Sequence, residues 1–392
     1  MERSSSGYAH AVVLSWTFAV AVVALALTSA WLPVRARVVV LALGSVGAVA
    51  LVWHVPVMPI LASACAVWGV GRLLPRLPER GRGPSLAAAI AAVVGALVWF
   101  RAGAGGGTAL APTSTVLGLS YFALKYIQHL VDAAGGRAGV VDLPSFVATV
   151  FFLPAYPAGP IERTGEFSRK LGEPARVEWA AGLERIVFGV GKKVLLADPL
   201  RRFLEPAFAS PGTTPRGTLL LALYAFAIQL YLDFGAYSDI AIGAGRLLGV
   251  RLRENFDWPY LQRNLGALWQ RWHMSFTSWL RDYLFLPIAL RLLRRTRRPL
   301  VAETGAQLIT MIACGLWHGI GWNFVAWGAY HGLCLSALAV WRARRGGTPR
   351  GGPVGHAAGV LVTFHVFMLG LVLFACDLPR AAVFLRRLVL GA

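Results

Sequence analysis

Two histidines are the candidates for chemistry, His318 in a segment otherwise built for lipid and His273 in a stretch rich in Trp, Tyr and Arg that suits the membrane interface. His318 lies in "CGLWHGIGWNF" (Cys314 to Phe324), and His273 lies in "RWHMSF" between Trp272 and Met274. A neutral imidazole accepts a proton near physiological pH, so a buried histidine at a helix break suits general-base activation of an alcohol. Spacing alone leaves a second reading open for each: His318 as a hydrogen bond to a neighbouring helix, and His273 as an interfacial residue among Trp, Tyr and Arg. His331, in "YHGL", reads as structural. Asp233 and Asp239 are the only charges between Arg216 and Arg246. An ionisable group inside a spanning segment is costly and faces a partner or a water-filled cavity. Asp233 and Tyr237 share a helical face, so they read either as a site or as a polar contact that locks helices together. Nothing has HExxH spacing. Cys65, Cys314, Cys334 and Cys376 sit in or beside apolar segments without CxxC spacing, so neither a metal site nor a disulfide framework is expected.

The elements that must hold these residues follow from composition. The 392 residues are 57% hydrophobic and 14% charged, with a mean hydropathy of +0.60. Soluble chains have roughly 45–50% apolar and about 25% charged residues. An all-α polytopic integral membrane protein is therefore expected, as one membrane-embedded domain over 1–392. Apolar windows at 11–32, 38–71, 84–100, 143–159, 217–245, 299–341 and 354–376 predict about nine to eleven helices, some short or re-entrant. The formal charge of +20 comes from arginines clustered in short connections, as the positive-inside rule requires of cytoplasmic loops, so no nucleic acid partner is expected. The run His10 to Pro33 reads as an uncleaved first span preceded only by Glu2 and Arg3, with the N-terminus outside. Arg35 and Arg37, then Arg72, Arg76, Arg80 and Arg82, read as cytoplasmic connections.

Several segments are too long or too broken for single helices. Residues 38–71 would extend about 51 Å as one helix, and Pro56 and Pro59 beside His54 predict that the chain enters and returns. The stretch between Arg298 and Arg342 would extend about 65 Å, enough for two crossings, with "WHGIGWN" near the turn. "FFLPAYPAGPIERTGEF" carries three prolines and two glycines, and such backbone survives at membrane depth only when buried in protein or lining a cavity. After the glycine run "RAGAGGG", Lys125, His129 and Asp132 lie on an apolar helical pattern, as an interfacial face or as a site. "GVGKK" lacks the spacing of a phosphate loop. No internal repeat or paired broken segments are visible, which weakens a transporter reading.

"YLDFGAYSDIAIGAGRLLGVRLRENFDWPYLQRNLGALWQRWHMSFTSWLRDYLFLPI" followed by "GLWHGIGWNFVAWGAYHGL" closely resembles the membrane-bound O-acyltransferase family. The bacterial branch, which acts in alginate O-acetylation and teichoic acid D-alanylation, fits best. "SYFALKYIQHLVD", the proline-rich segment and "GVGKKVLLAD" resemble its upstream segments in the same order, so the resemblance covers about 115–335. It implies a ring of tilted, partly broken helices around a thinned centre with a tunnel, His318 as the catalytic histidine, and His273 as the second signature histidine lining the chamber. Trp317 and Asn323 beside His318, Arg271 and Trp272 beside His273, and Asp233 with Tyr237 are the candidate substrate contacts.

The implied reaction moves an acyl group, first choice acetyl, from a cytoplasmic thioester (acetyl-CoA or an acyl carrier protein) to a hydroxyl of an exported or cell-surface glycan. No bound cofactor is implied. A separate extracytoplasmic acyltransferase partner would fit, and the bilayer would be a bacterial cytoplasmic membrane. D-alanyl-type transfer from a carrier protein is the alternative, and a non-enzymatic transporter, channel or scaffold is the reading of another class. At the C-terminus only the amphipathic "DLPRAAVFLRRLVLGA" follows the span at 354–376, so the final helices of longer relatives and an appended acetyl-transferring domain are expected to be missing.

Overall fold

The computed structural model describes residues 14–105, 118–137, 141–346 and 352–391. The expectations on Glu2 and Arg3, and on the end of the glycine run after Arg101, lie outside these residues. All regular structure among the described residues is helical. In chain order the helices are α1 (Trp16–Ser29), α2 (Val34–Trp53), α3 (Val57–Leu73), α4 (Glu79–Gly105), α5 (Leu119–Ala134), α6 (Leu143–Phe151), α7 (Thr164–Leu171), α8 (Trp179–Gly191) and α9 (Asp198–Ala209). They continue with α10 (Arg216–Leu247), α11 (Leu265–Arg271), α12 (Met274–Leu280), α13 (Leu286–Thr296), α14 (Pro299–His318), α15 (Trp322–Arg345), α16 (Pro353–Ala375) and α17 (Leu378–Leu390). Seven of the helices among the described residues are long and apolar enough to cross a membrane, and α1 is a shorter apolar helix. The chain is a polytopic membrane protein. It divides into two compact units, Met1–Val190 with Tyr237–Arg253, and Gly191–Ala236 with Glu254–Ala392.

In the first unit the break expected within 38–71 lies between α2 and α3. His54 ends α2 in the left-handed region at φ 49°, and Pro56 precedes α3. Arg37 departs from its sequence reading as a loop cation. It sits in the first turn of α2, is only 1% exposed, and donates to the carbonyls of Glu173, Leu248 and Gly249 at 3.0, 3.2 and 3.1 Å. Five guanidinium donors in a fixed fork suit this bundling of loop carbonyls. Lys125 works in the same way: its buried ammonium donates to the carbonyls of Thr149 and Val150 at 2.8 and 3.2 Å, at the negative end of α6. His129 is buried against Phe146 with 4.4 Å between ring centres. Lys125 and His129 of α5 therefore face inward rather than toward solvent, whereas Asp132, half-buried near the end of the helix, lies 3.6 Å from the exposed Arg137.

The proline-rich segment is not one helix. The chain leaves α6 at Phe151, makes one 3₁₀ turn over Leu153–Ala155, and resumes as α7 at Thr164. Tyr237 stitches it together. Its buried hydroxyl lies 3.0 Å from the carbonyl oxygens of Pro154 and Gly159 and accepts from the Ala158 N–H. Glu162 holds the exit of the loop, accepting from Lys170 at 2.8 Å and from the Arg253 N–H at 2.7 Å. Asp239 is paired with Arg185 at 2.6 Å.

In the second unit, glycines set the spacing of the hairpin formed by α14 and α15. A methyl group on Gly315 would collide with the carbonyl oxygen of Phe324, and one on Gly328 with that of Met311. A third, on Gly332, would stand 2.9 Å from the Cα of Leu308. Small residues that let backbones touch are the usual basis of helix association in lipid, where apolar surface alone gives no preference for protein over lipid. The chain turns between the two helices at Gly319–Gly321, so the two crossings expected from length form. The amphipathic C-terminal piece forms α17, which packs Phe384 on Phe208 of α9 at 5.1 Å.

Two predictions follow from this packing. Gly315→Ala and Gly328→Ala each destabilise the protein by about 1–3 kcal/mol through overpacking, read as a lower melting temperature in detergent. Gly235→Ala, which meets open space, does not. Burial pushes the Lys125 ammonium down to about 8, against the opposing pull of Glu162. Because the unfolded chain then binds more protons between pH 8 and the ordinary lysine value, stability rises with pH across that window. The rise is absent in Lys125→Met, and a melting-temperature series from pH 7.5 to 10 checks it.

Candidate active site

Both histidines lie at interruptions of helix, and the two interruptions are built differently. His318 is the last residue of α14. The Gly319 N–H closes the helix on the Gly315 carbonyl at 3.2 Å, and the backbone then extends. A methyl group on Gly319 would strike the ring of Phe324. The glycines of "WHGIGWNF" therefore let Phe324 fold back under the histidine. His273 lies between α11 and α12. Trp272 is extended, and His273 itself adopts φ 43°, ψ 55° before α12 begins. That left-handed conformation is uncommon outside glycine, with Asn, Asp and His the more frequent exceptions.

The two imidazoles converge on one cavity of about 70 Å³ within the second unit. Among the described residues its lining comprises His273, His318, Cys314 and nine aromatic or leucine side chains, with no carboxylate, lysine or arginine among them. Phe276, one helical turn after His273, packs between the histidines, with its ring 5.1 Å from His273 and 6.3 Å from His318. Phe234 stands edge-on to His273 at 4.6 Å. His318 is enclosed by Trp317, Phe374 and Trp327, with ring centres at 4.7, 5.0 and 5.4 Å.

The environments of the histidines differ. His318 is half-buried, whereas His273 is 4% exposed. Burial, assisted by the neighbouring His318, holds the His273 imidazole well below its ordinary value. It therefore stays neutral through the physiological range. A neutral imidazole retains one N–H, which can donate to an oxygen that gains negative charge.

The other candidate contacts separate. Trp272 lines the cavity with His273 and His318. Trp317 packs tilted against Phe276 at 4.3 Å and edge-on to His318 from outside the lining. Asn323 donates its amide to the Leu373 carbonyl at 3.2 Å, fastening the start of α15 to α16. Arg271 points away from the cavity lining into an exposed ion pair with Asp257 at 2.8 Å. Asp233 accepts from Lys193 at 2.7 Å, and the same ammonium reaches Asp198 at 2.6 Å from a π-turn at Lys192–Ala197. Tyr237 belongs to the proline-rich loop of the first unit. The local Asp233–Tyr237 pair suggested by helical spacing is thus replaced by separate structural bonds, because each group has a nearer partner on another segment.

Cys314, Phe276, Trp327 and Phe374 belong to the cavity wall although none was a site candidate from sequence. Cys314 and Phe276 lie one helical turn from a histidine, so face periodicity was the available signal. Phe374 comes from α16 and has no local signal. His331, read as structural, is fully buried behind this wall, against Trp327 at 4.9 Å.

The left-handed backbone at His273 is testable by stability. Glycine adopts φ > 0 without the penalty that a Cβ brings, roughly 1–2 kcal/mol. His273→Gly therefore melts at a higher temperature than His273→Ala, the reverse of the order inside a helix, and thermal denaturation of the two purified variants compares them.

The sequence matches the membrane-bound O-acyltransferase (MBOAT) family over residues 14–373. It is 36% identical over 224 residues to the probable alginate O-acetylase of Azotobacter vinelandii, covering 56% of this chain and 44% of that protein. Against the teichoic acid D-alanyltransferase of Streptococcus thermophilus it is 28% identical over 283 residues, covering 66% of this chain and 68% of the relative. Against the peptidoglycan O-acetyltransferase of Helicobacter pylori it is 32% identical over 192 residues, 48% of this chain and 36% of the relative. The chain spans less than half the length of the alginate relatives it matches. Because the family match runs through most of the sequence and includes both histidine segments, the chain belongs to the membrane-bound O-acyltransferase family.

Proposed function

We propose that this protein is an O-acyltransferase of the cytoplasmic membrane. It moves an acetyl group from a cytoplasmic thioester, acetyl-CoA or an acyl carrier protein, to a hydroxyl of an exported or cell-surface glycan, directly or through an extracytoplasmic partner. The observation that carries this reading is the convergence of His273 and His318 on one small, uncharged, aromatic cavity. Water occupies about 30 Å³ per molecule, and a cavity of about 150 Å³ takes up benzene. A cavity of about 70 Å³, smaller than the one that takes benzene, favours a small acyl group such as acetyl. The relatives act, by name, on alginate, peptidoglycan and teichoic acid, which favours a cell-envelope polymer as acceptor.

The second reading, D-alanyl transfer, draws on the longer coverage of the Streptococcus relative. A D-alanyl group brings an ammonium that must be paired or solvated once it leaves water. The cavity lining offers it no carboxylate, which favours the neutral acetyl group.

In the mechanism, half-buried His318 takes the proton of the acceptor hydroxyl as its oxygen attacks the thioester carbonyl. The neutral His273 donates its N–H to the developing oxyanion, where a donor fixed in a dry site costs no reorganisation. As the C–S bond breaks, the imidazolium of His318 returns the proton to the departing thiolate, leaving an ester and a free thiol. Exclusion of water by the surrounding aromatic rings protects the thioester from hydrolysis. Arg294 and Arg295, in the last turn of α13, would attract the anionic carrier of the acyl group.

Purified full-length protein with radiolabelled acetyl-CoA, and mass spectrometry of envelope polymers from cells carrying each variant, test this reading. His318→Ala inserts normally but loses about 100-fold or more of acetyl transfer. A D-alanyl thioester is used at less than about a tenth of the acetyl rate. Undiminished acylation by His318→Ala removes the assigned base, and a preference for the D-alanyl donor removes the acetyl assignment.

A further inference from the structure

A helix N-terminus leaves its first N–H groups without intrahelical partners, and the residue before the first turn ordinarily satisfies one of them with its own side chain. At α12 that residue is His273, whose side chain makes no capping bond. Its imidazole instead lines the cavity. Capping here comes from a different segment. The carbonyl of Asn255 accepts the Met274 N–H at 2.8 Å, and its side-chain Oδ1 accepts from the hydroxyl of Ser275 at 2.7 Å. Asn255 is fully buried. Two residues further on, the Asp257 N–H donates to the carbonyl of Arg271 at 3.1 Å, on the other side of the histidine. The exposed Arg271–Asp257 ion pair closes the outer end of this latch. The segment 255–257 thus grips the chain before and after His273, across a residue whose φ is positive.

We propose that Asn255 is the positioning residue of His273, acting with Ser275: it caps α12 from outside while the imidazole faces the cavity rather than capping the helix. A capping side chain at position 273 would have its polar atoms turned back onto α12. A histidine with no external cap would have to choose between that role and the cavity. The backbone carbonyl of any residue could hold the Met274 N–H. The second bond requires a short side chain with an acceptor, and Ser275 supplies a hydroxyl that reaches it without leaving the first turn. This inference rests on the role given to His273 in the proposed reaction, although the geometry it describes can be measured without turnover.

The experiment uses the full chain in lipid nanodiscs, with diethyl pyrocarbonate as a probe of imidazole accessibility and release of CoA from acetyl-CoA as the kinetic readout. Carbethoxylation of His273 and His318 is followed separately by peptide mass spectrometry in the parent, Asn255→Ala, Ser275→Ala and Ser275→Thr. The expected result is that Asn255→Ala and Ser275→Ala speed modification of His273 several-fold and leave that of His318 within about twofold. Turnover falls about ten- to a hundredfold, the scale of a small misplacement of a reacting group, with KM for acetyl-CoA little changed. Ser275→Thr, which keeps the hydroxyl, restores both. If Asn255→Ala does not fold, the Ser275 pair carries the comparison. Unchanged His273 reactivity in Ser275→Ala, or equal loss in the Ala and Thr variants, overturns the assignment. A shift in His273 reactivity in a protein whose parent form releases no CoA supports the positioning role and removes acetyl-CoA as the donor.

Discussion

Backbone cannot leave the helix in hydrocarbon unless something else bonds the peptide groups it releases. This protein leaves the helix at both of its site histidines, and much of its architecture consists of the supports those two departures need. At His318 the support is close approach. Glycines at 315, 328 and 332 bring α14 and α15 into backbone contact, so the short turn at Gly319–Gly321 is packed by the helices it joins and by Phe324. At His273 the support is a second strand of chain, which takes up the N–H of Met274 and supplies one to the carbonyl of Arg271. The site is consequently a pair of helix ends, each free to aim a side chain that a continuous helix would have pointed along its own flank.

The same solvent governs the charges. A group that ionises in a low-dielectric surround needs a partner within hydrogen-bonding reach. Arg37 and Lys125 find theirs in backbone carbonyls at loop and helix ends. Asp233, Asp239 and Glu162 find theirs in Lys193, Arg185 and Lys170. These groups tie one segment to another within each unit and are absent from the cavity lining. The cavity lining is left with two imidazoles and an aromatic and leucine wall, and burial there, with the neighbouring His318, holds the His273 imidazole well below its ordinary value.

Much of this was legible one residue at a time. Hydropathy marks the spans, because burial in lipid is decided largely by the apolar run itself. Pro56 beside His54, the three prolines of 154–160 and the glycines of "WHGIGWN" mark breaks, because their effect on φ, on hydrogen bonding and on steric bulk is local. His318 was visible as a polar residue in an apolar run, and His273 as a polar residue in an interfacial stretch, with the resemblance singling out both. Arg37 shows where this kind of reading ends. An arginine beside a span has the same sequence signature whether it lies in a loop or reaches inward to three carbonyls, and only the segments bearing Glu173, Leu248 and Gly249 decide between the two.

By itself, then, the sequence determined the class of protein, the breaks at Pro56, in the proline-rich segment and at His318, and the two candidate histidines, all properties set by a residue and its immediate neighbours. The break at His273 came only with the structure. Tertiary structure decided which side chains meet the histidines. Phe374 reached the cavity from α16, Cys314 and Phe276 joined from one turn away, and Arg271, Asp233 and Tyr237 were drawn to Asp257, Lys193 and the proline-rich loop. Asn255, unremarkable in "RENF", became the cap of a helix it does not belong to. The physical reason is that a hydrogen bond or an ion pair goes to the nearest competent partner, and which partner is nearest depends on how the segments pack.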